Sequence, residues 1–85
     1  MTDGLELRVR YCAECGYLQR TTWMLGEILS EIQHDVTSVQ IEPVGQGIFE
    51  WAVNGDTVFS KSALGRFPDL DELKELIYAR LQERR

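Results

Sequence analysis

Two cysteines, Cys12 and Cys15, are the residues of this sequence whose type and spacing most clearly indicate chemistry. Only two residues separate them, so they can close a disulfide without a large movement of the chain. A thiolate at one of them can attack a substrate disulfide, and the other can resolve the resulting mixed disulfide. The same spacing also occurs in half of a zinc site, where structural zinc takes four ligands. The pair therefore indicates dithiol–disulfide exchange or part of a metal site.

The sequence around the pair predicts its position in the fold. Apolar and charged residues alternate over residues 5–11, which predicts a strand with one buried face. Helical periodicity follows and predicts a helix from about Glu14 or Gly16 to about Gln33. Free N–H groups and the positive dipole end of a helix N-terminus favour a thiolate and lower a thiol pKa. Glu14 partly opposes this effect through its own charge, and it also suits a first helical turn.

Two other interpretations of the cysteines stay open at this point. His34 is the only histidine and lies at the far end of the predicted helix, so it cannot join the pair within one chain. A zinc site would therefore need two chains that pool their cysteines. The cysteines can also be small buried apolar residues without chemistry. We predict no metal and no cofactor.

The rest of the chain predicts three more strands and a second long helix. An Asn54–Gly55 turn joins two of these strands in a hairpin, and Pro43 in the trans form is expected to end the strand before them. Asp69 and Glu72 form a capping box for the last helix, after a loop over residues 61–68. The predicted strands cover residues 36–42, 48–53 and 57–60.

These elements predict an α/β, thioredoxin-like fold in the order β-α-β-β-β-α. The helical crossover makes the first two strands parallel, and the hairpin adds antiparallel strands. The result is a four-stranded mixed sheet with two helices on one face. The 85 residues have no room for a second core, so we predict a single domain over residues 1–85.

Composition argues against several functions. A net charge of −5 and a pI near 4.7 disfavour nucleic acid and anionic membrane surfaces as partners. The sequence lacks an apolar stretch of membrane-spanning length, and residues 1–6 lack the pattern of a signal peptide. We therefore expect a cytoplasmic protein. Two cysteines are too few for a disulfide scaffold, and in a reducing compartment they indicate redox or metal chemistry.

Several short segments, in this order and spacing, resemble the selenoprotein W-related family, the Rdx group that includes SelT-, SelW- and SelH-like proteins. The similarity covers nearly the whole chain, and residues 20–24 (RTTWM) with Glu27 are similar to the prokaryotic branch. The other matching segments are YCAECGY at residues 11–17, GIFEW at 47–51, NG at 54–55, SK at 60–61 and GRFP at 65–68.

The resemblance implies a thioredoxin-like fold, a redox role for the cysteine pair and glutathione as a possible redox partner. Cys15 stands where selenium-containing members have selenocysteine, which implies a cysteine-containing homologue and points to Cys15 as the attacking residue. Comparison with thioredoxins points instead to Cys12, and the sequence leaves both options open. Gly47 stands at the position of the thioredoxin cis-proline, and the extra glutaredoxin helix is missing. A preformed glutathione groove is therefore not expected.

Some residues outside the motif also have candidate roles. Trp23 faces outward on the first helix, where it can contact a protein partner or a second copy, or lie on its own surface beside Arg20. Arg20 itself is expected on a solvated face with Glu27.

Three further residues are expected near the motif. Ile48 and Phe67 belong to loops that can approach the cysteines. Lys61 can bias a nearby thiolate by its charge or can simply be solvated.

The leading hypothesis is a thiol–disulfide oxidoreductase or redox-responsive thiol protein that cycles Cys12 and Cys15. Its partners would be protein or small-molecule thiols and disulfides. The alternative is a redox-regulated interaction module without multiple turnover, and a third possibility is a zinc-bridged dimer.

Overall fold

The computed structural model describes residues 4–83, so residues 1–3 of the N-terminal segment considered above lie outside the described part. The sheet is formed by four strands. Two long helices and one short helix accompany it, and a 3₁₀ turn at Gln33–Asp35 leads out of the first helix. In chain order the elements are β1 (Leu5–Cys12), α1 (Leu18–Ile32), β2 (Val36–Val44), β3 (Phe49–Val53), β4 (Asp56–Ser60), α2 (Lys61–Leu64) and α3 (Leu70–Glu83).

The four strands form one mixed sheet in the order β2-β1-β3-β4. Strand β1 pairs in parallel with β2 and antiparallel with β3, and β3 pairs antiparallel with β4. Asn54 and Gly55 connect β3 to β4 with positive φ angles of 51° and 88°, as a tight hairpin turn requires. The predicted thioredoxin-like arrangement and the hairpin are confirmed.

The core lies between one face of the sheet and the helices α1 and α3. Alternate residues of β1 and β3 are buried, and the residues between them are exposed or half-buried. The two helices contribute apolar residues to the same cluster. Its most completely buried members are Leu5, Leu7, Val9, Met24, Ile28, Phe49, Trp51, Val53, Phe59, Leu73 and Ile77. The opposite face of the sheet is polar.

The prediction that Pro43 ends the second strand is wrong. Pro43 lies inside β2 and pairs with Tyr11, and β2 continues to Val44. Val44 accepts a hydrogen bond from the Ala13 N–H, so in this parallel pair the backbone of Val44 is directed toward β1. Neighbouring residues of a strand direct their backbone groups to opposite sides, so Pro43 lacks its N–H on the free edge of the sheet. The expected trans form of Pro43 is confirmed.

Two helix boundaries also differ from the prediction. Helix α1 begins at Leu18 instead of Glu14 or Gly16, because Gly16 has a φ of 77° and belongs to a turn. The predicted loop over residues 61–68 contains the short helix α2, whose first turn is capped by the Ser60 side chain accepting from the Ala63 N–H. The cysteine motif therefore lies in a turn before α1 and outside the helix.

Candidate redox site at the Cys12–Cys15 disulfide

Cys12 is the last residue of β1 and is held at the end of the sheet by both neighbouring strands. Its N–H donates to the carbonyl of Ile48, just before β3, at 2.7 Å. The next N–H, of Ala13, donates to the carbonyl of Val44 in β2 at 2.9 Å. Cys12 is only 1% exposed. The position of this cysteine is thus fixed by the sheet, and the expected proximity of Ile48 to the motif is confirmed.

Cys15 lies in an exposed turn that joins β1 to α1. The N–H of Gly16 donates to the Ala13 carbonyl, and the N–H of Tyr17 donates to the Cys12 carbonyl. These bonds fold the chain back, so that the Cα atoms of Cys12 and Cys15 are 5.3 Å apart and their sulfurs form a disulfide. Residues 13–16 are all exposed. The two bonded cysteines therefore differ sharply in burial.

Three aromatic rings pack edge-to-face beside the motif. Tyr17, which follows the turn, lies 4.9 Å from Phe67 and 6.1 Å from Phe49 between ring centroids. Phe49 and Phe67 are 5.3 Å apart. Such edge-to-face contacts are the favourable geometry for aromatic pairs. The cluster ties the end of the motif to the sheet and to the segment before α3, which confirms the prediction that Phe67 flanks the site.

Phe67 is also the ring on which two cations lie. The guanidinium carbon of Arg20 is 4.0 Å from its centroid, and the Lys61 ammonium is 5.3 Å from it. Both distances suit a cation–π contact. Arg20 is exposed on the helix face with Glu27, as predicted, and it contacts Phe67 in addition. Lys61 is half-buried and is not a freely solvated lysine.

An ion pair holds the segment that carries Phe67. Arg66 donates to the Glu72 carboxylate at 2.7 and 2.8 Å and to the Phe67 carbonyl at 3.2 Å. Glu72 also accepts from the Asp69 N–H, which is the backbone half of the predicted capping box. The hydrogen bond from Arg66 is the main reason that the pKa of Glu72 falls to about 2. Glu72 is thus charged at neutral pH and fixes the start of α3.

A carboxylate lies on the other side of the motif. A side chain added at Gly45 would place its Cβ 3.4 Å from a Glu14 carboxylate oxygen, so Glu14 reaches toward the loop after β2. That loop turns at Gln46 and Gly47, which have φ angles of 63° and 71°. Glu14 therefore adds negative charge on the β2 side of the disulfide.

The structure separates the motif from two other candidate residues. Trp23 is 54% exposed on α1, as predicted, and His34 lies in the 3₁₀ turn at the opposite end of that helix. No group of three or more His, Cys, Asp or Glu residues arranged to hold a metal occurs within residues 4–83. Sequence reasoning missed Tyr17 as an aromatic contact. Its place directly after the motif was the available signal.

Comparison with protein families shows to which family the chain belongs. The model of the Rdx family matches residues 6–79, which include every strand except the first residue of β1. The chain belongs to the Rdx family. The resemblance noted from the sequence is therefore confirmed, and the described Rdx-family site contains a Cys-x-x-Cys disulfide.

Two solved structures share this fold. The selenoprotein W-related protein from Vibrio cholerae superposes with a TM-score of 0.87 at 24% identity, over 92% of this chain and 98% of that one. A protein from Bordetella parapertussis gives 0.85 at 29% identity, over 89% and 96% of the two chains.

Mammalian relatives are longer than this chain. Migration and invasion enhancer 1 from Mus musculus is 36% identical over 77 residues, which are 88% of this chain and 64% of that protein. The Bos taurus protein of the same name is 36% identical over 76 residues, or 87% and 63%. The chain thus spans less than two thirds of the length of these relatives. Within residues 4–83, no helix is long and apolar enough to cross a membrane.

Proposed function

We propose that this Rdx-family chain is a thiol–disulfide oxidoreductase in which Cys15 exchanges with the substrate and Cys12 resolves the mixed disulfide. The observation that carries the proposal is the unequal burial of the two bonded cysteines. An incoming thiolate or disulfide must reach the sulfur that it attacks. Cys15 lies in an exposed turn, whereas Cys12 is 1% exposed at the end of β1.

The reduced protein would act in two exchange steps. The Cys15 thiolate attacks one sulfur of a substrate disulfide, which forms a Cys15–substrate disulfide and releases the other substrate sulfur as a thiolate. The Cys12 thiolate then attacks the Cys15 sulfur, closes the Cys12–Cys15 disulfide and releases the second substrate thiolate. Two electrons pass from the dithiol to the substrate. A reducing thiol in the same compartment, for which we propose the cytoplasm, restores the dithiol.

The fold supports this division of roles. The hydrogen bonds from Cys12 to Ile48 and from Ala13 to Val44 hold Cys12 at the end of β1. The turn over residues 13–16 carries Cys15 toward solvent and still brings it within disulfide distance of Cys12. The resolving sulfur is therefore next to the mixed disulfide, which favours rapid resolution over accumulation of the mixed disulfide.

Single cysteine variants test the proposal. Reduced Cys12→Ser and Cys15→Ser proteins are incubated with oxidised glutathione or with a peptide disulfide, and adducts are measured by intact-mass spectrometry. Cys12→Ser should accumulate a stable adduct at Cys15, because no resolving thiol is left. Cys15→Ser should form little adduct, because Cys12 is buried. The wild type should end as the intramolecular disulfide with released substrate thiol.

Two other outcomes would contradict the proposal. Preferential adduct formation in Cys15→Ser would assign the attack to Cys12. A pair that reacts with neither disulfide would overturn the oxidoreductase proposal. The exposed Trp23 favours the second candidate, an interaction module, which predicts a partner complex that survives in both cysteine variants and fails in Trp23→Ser.

A further inference from the structure

The basic residues of the described chain fall into two groups. Residues 4–83 contain seven lysines and arginines, and five of these form ion pairs with carboxylates. Within this part of the chain, Arg20 and Lys61 form no ion pair and lie on the Phe67 ring instead. The five paired residues are Arg8, Arg10, Arg66, Lys74 and Arg80.

The two unpaired cations come from distant parts of the sequence and meet at the motif end of the sheet. Arg20 lies in the first turn of α1, three residues after Tyr17, and Lys61 follows the last residue of β4. Phe67, which both contact, packs against Tyr17. Because two strand spacings separate β4 from β1, the backbone of β4, which leads into Lys61, lies about 10 Å across the sheet from β1.

Charge is distributed unequally across the disulfide. Glu14 reaches toward Gly45, directly after β2, whereas Lys61 follows β4. Strands β2 and β4 are the opposite edges of the sheet, with β1 between them. The motif thus has a positive side at Phe67 and a negative side at Gly45, in a chain whose net charge is −5.

We propose that Arg20 and Lys61, together with the Phe67 ring that both contact, bind the acidic flank of a client protein's disulfide and guide its sulfur to Cys15. The proposal rests on the proposed function, since it assigns the substrate class of the same site. A carboxylate can bind these cations without displacing a partner, and an apolar client side chain can contact the ring. Opposite charges about a Debye length apart accelerate encounter, and salt weakens the effect.

Because the net charge is negative, the two cations at Phe67 should make the site selective for where an acidic client binds. An acidic client is repelled by the molecule as a whole and attracted only on the Phe67 side. Two cations are too few to bind a nucleic-acid backbone against that overall charge. The site therefore fits a short acidic peptide segment that runs past the disulfide on the side away from Glu14.

Three matched peptide disulfides provide the test. They share one sequence, except that the residues flanking the cysteine are Glu, Gln or Lys. We measure the second-order rate at which each oxidises the reduced protein at low and at high salt. The Glu peptide should react roughly 10-fold faster than the Gln peptide at low salt, with the Lys peptide slowest, and high salt should reduce these differences.

Two variants separate a local from a global effect: one loses two positive charges at the motif end, and the other loses one between the helices. Arg20→Gln combined with Lys61→Gln should remove the preference for the Glu peptide. Lys74→Gln, at a lysine paired with Glu31 between the helices, should retain most of it. Thermal unfolding of each variant confirms that it is folded. A preference that survives in the double variant, or that is lost equally in Lys74→Gln, would overturn the proposal.

Two further outcomes distinguish this inference from the function on which it rests. If none of the peptides reacts, the oxidoreductase proposal itself fails. If all three react at equal rates, thiol exchange stands and the acidic client site is wrong. Oxidised glutathione supplies carboxylates on a small disulfide, and the double variant should slow it less than the Glu peptide. An equal loss of rate for oxidised glutathione and for the Glu peptide would show that the cations also bind small anionic disulfides, and it would overturn the assignment to a protein client.

Discussion

The motif end of the sheet and the contact between the two long helices stabilise their polar groups in different ways. Between α1 and α3, Glu31 accepts hydrogen bonds from both Lys74 and Tyr78. At the motif end, Cys12 is held by backbone hydrogen bonds, and the neighbouring cations lie on Phe67. The first region uses its charges to join helices. In the described part of the chain, the second leaves Arg20 and Lys61 without an ion pair.

Reactivity and stability should therefore depend on different residues at the motif end. Substitutions of Ala13 and Glu14 in the exposed turn remove no buried contact, so they should change exchange chemistry with little effect on unfolding. Substitutions of the aromatic rings beneath the turn should mainly lower the free energy of unfolding.

The strongest prediction concerns the two thiols of the reduced protein. Cys15 should be alkylated by iodoacetamide roughly 100-fold faster than Cys12, because exposing a buried thiol by a local opening of about 3 kcal/mol costs that factor. Peptide mapping after short labelling times measures both rates. Unfolded protein in guanidinium chloride is the control, where the two cysteines should react at comparable rates.

Equal labelling of the two cysteines in the folded protein would contradict the assignment of Cys15 as the exchanging residue. It would mean that the end of β1 opens readily on reduction. Labelling of Cys12 ahead of Cys15 would reverse the two roles.

The next prediction tests the packing beneath the motif. Phe49 is completely buried and contacts Tyr17, Trp51 and Phe67. Phe49→Ala should lower the free energy of unfolding by about 3–5 kcal/mol, because it leaves a cavity among these rings. Urea denaturation measures the change.

An exposed aromatic residue provides the matched control. Trp23→Ala removes a side chain that is 54% exposed, and it should change the unfolding free energy by less than about 0.5 kcal/mol. A similar loss for both substitutions would show that the aromatic cluster does not carry the stability of the motif end.

The sequence predicted the local architecture well wherever a short pattern encodes it. Alternation revealed β1, and Asn54–Gly55 revealed the hairpin because both residues tolerate positive φ. Helical periodicity did not locate the start of α1, because Gly16 adopts positive φ and a pattern of side chains does not report that angle. Pro43 was misjudged because its effect depends on which side of β2 faces β1.

The site was predictable only where a local pattern encodes it. The cysteine spacing identified the motif, but the backbone hydrogen bond that holds Cys12 is accepted by Ile48, 36 positions later in the chain. The contact of Arg20 with Phe67 joins α1 to the segment before α3. Such contacts between distant segments follow from the packing of the whole domain, and no local pattern encodes them.

The smallest predicted effect concerns the ion-paired contact between α1 and α3, whose contribution to stability should change with pH. Hydrogen bonds from Lys74 and Tyr78 lower the pKa of Glu31 below its ordinary value of 4.5. Its contribution to stability is therefore complete above that value and declines as the pH falls below it. Burial and the bond to Glu31 raise the pKa of Tyr78 from 10.0 to about 12. That contribution is complete below pH 10 and is lost as the pH rises toward 12.

Tyr78→Phe and Glu31→Gln separate the two limbs of this pH dependence. Tyr78→Phe should flatten the loss of thermal stability above pH 10, because the remaining ring has no hydroxyl to ionise. Glu31→Gln should flatten the part of the acid limb that Glu31 contributes below pH 4.5, while Glu72 still titrates toward about 2. Unfolding curves recorded from acid to alkaline pH measure both changes. Because these groups lie between α1 and α3, neither variant should alter the preference of Cys15 over Cys12 in alkylation at neutral pH. A change in that preference would mean that the helix contact and the motif end form one coupled unit, and the comparison between the two regions would fail.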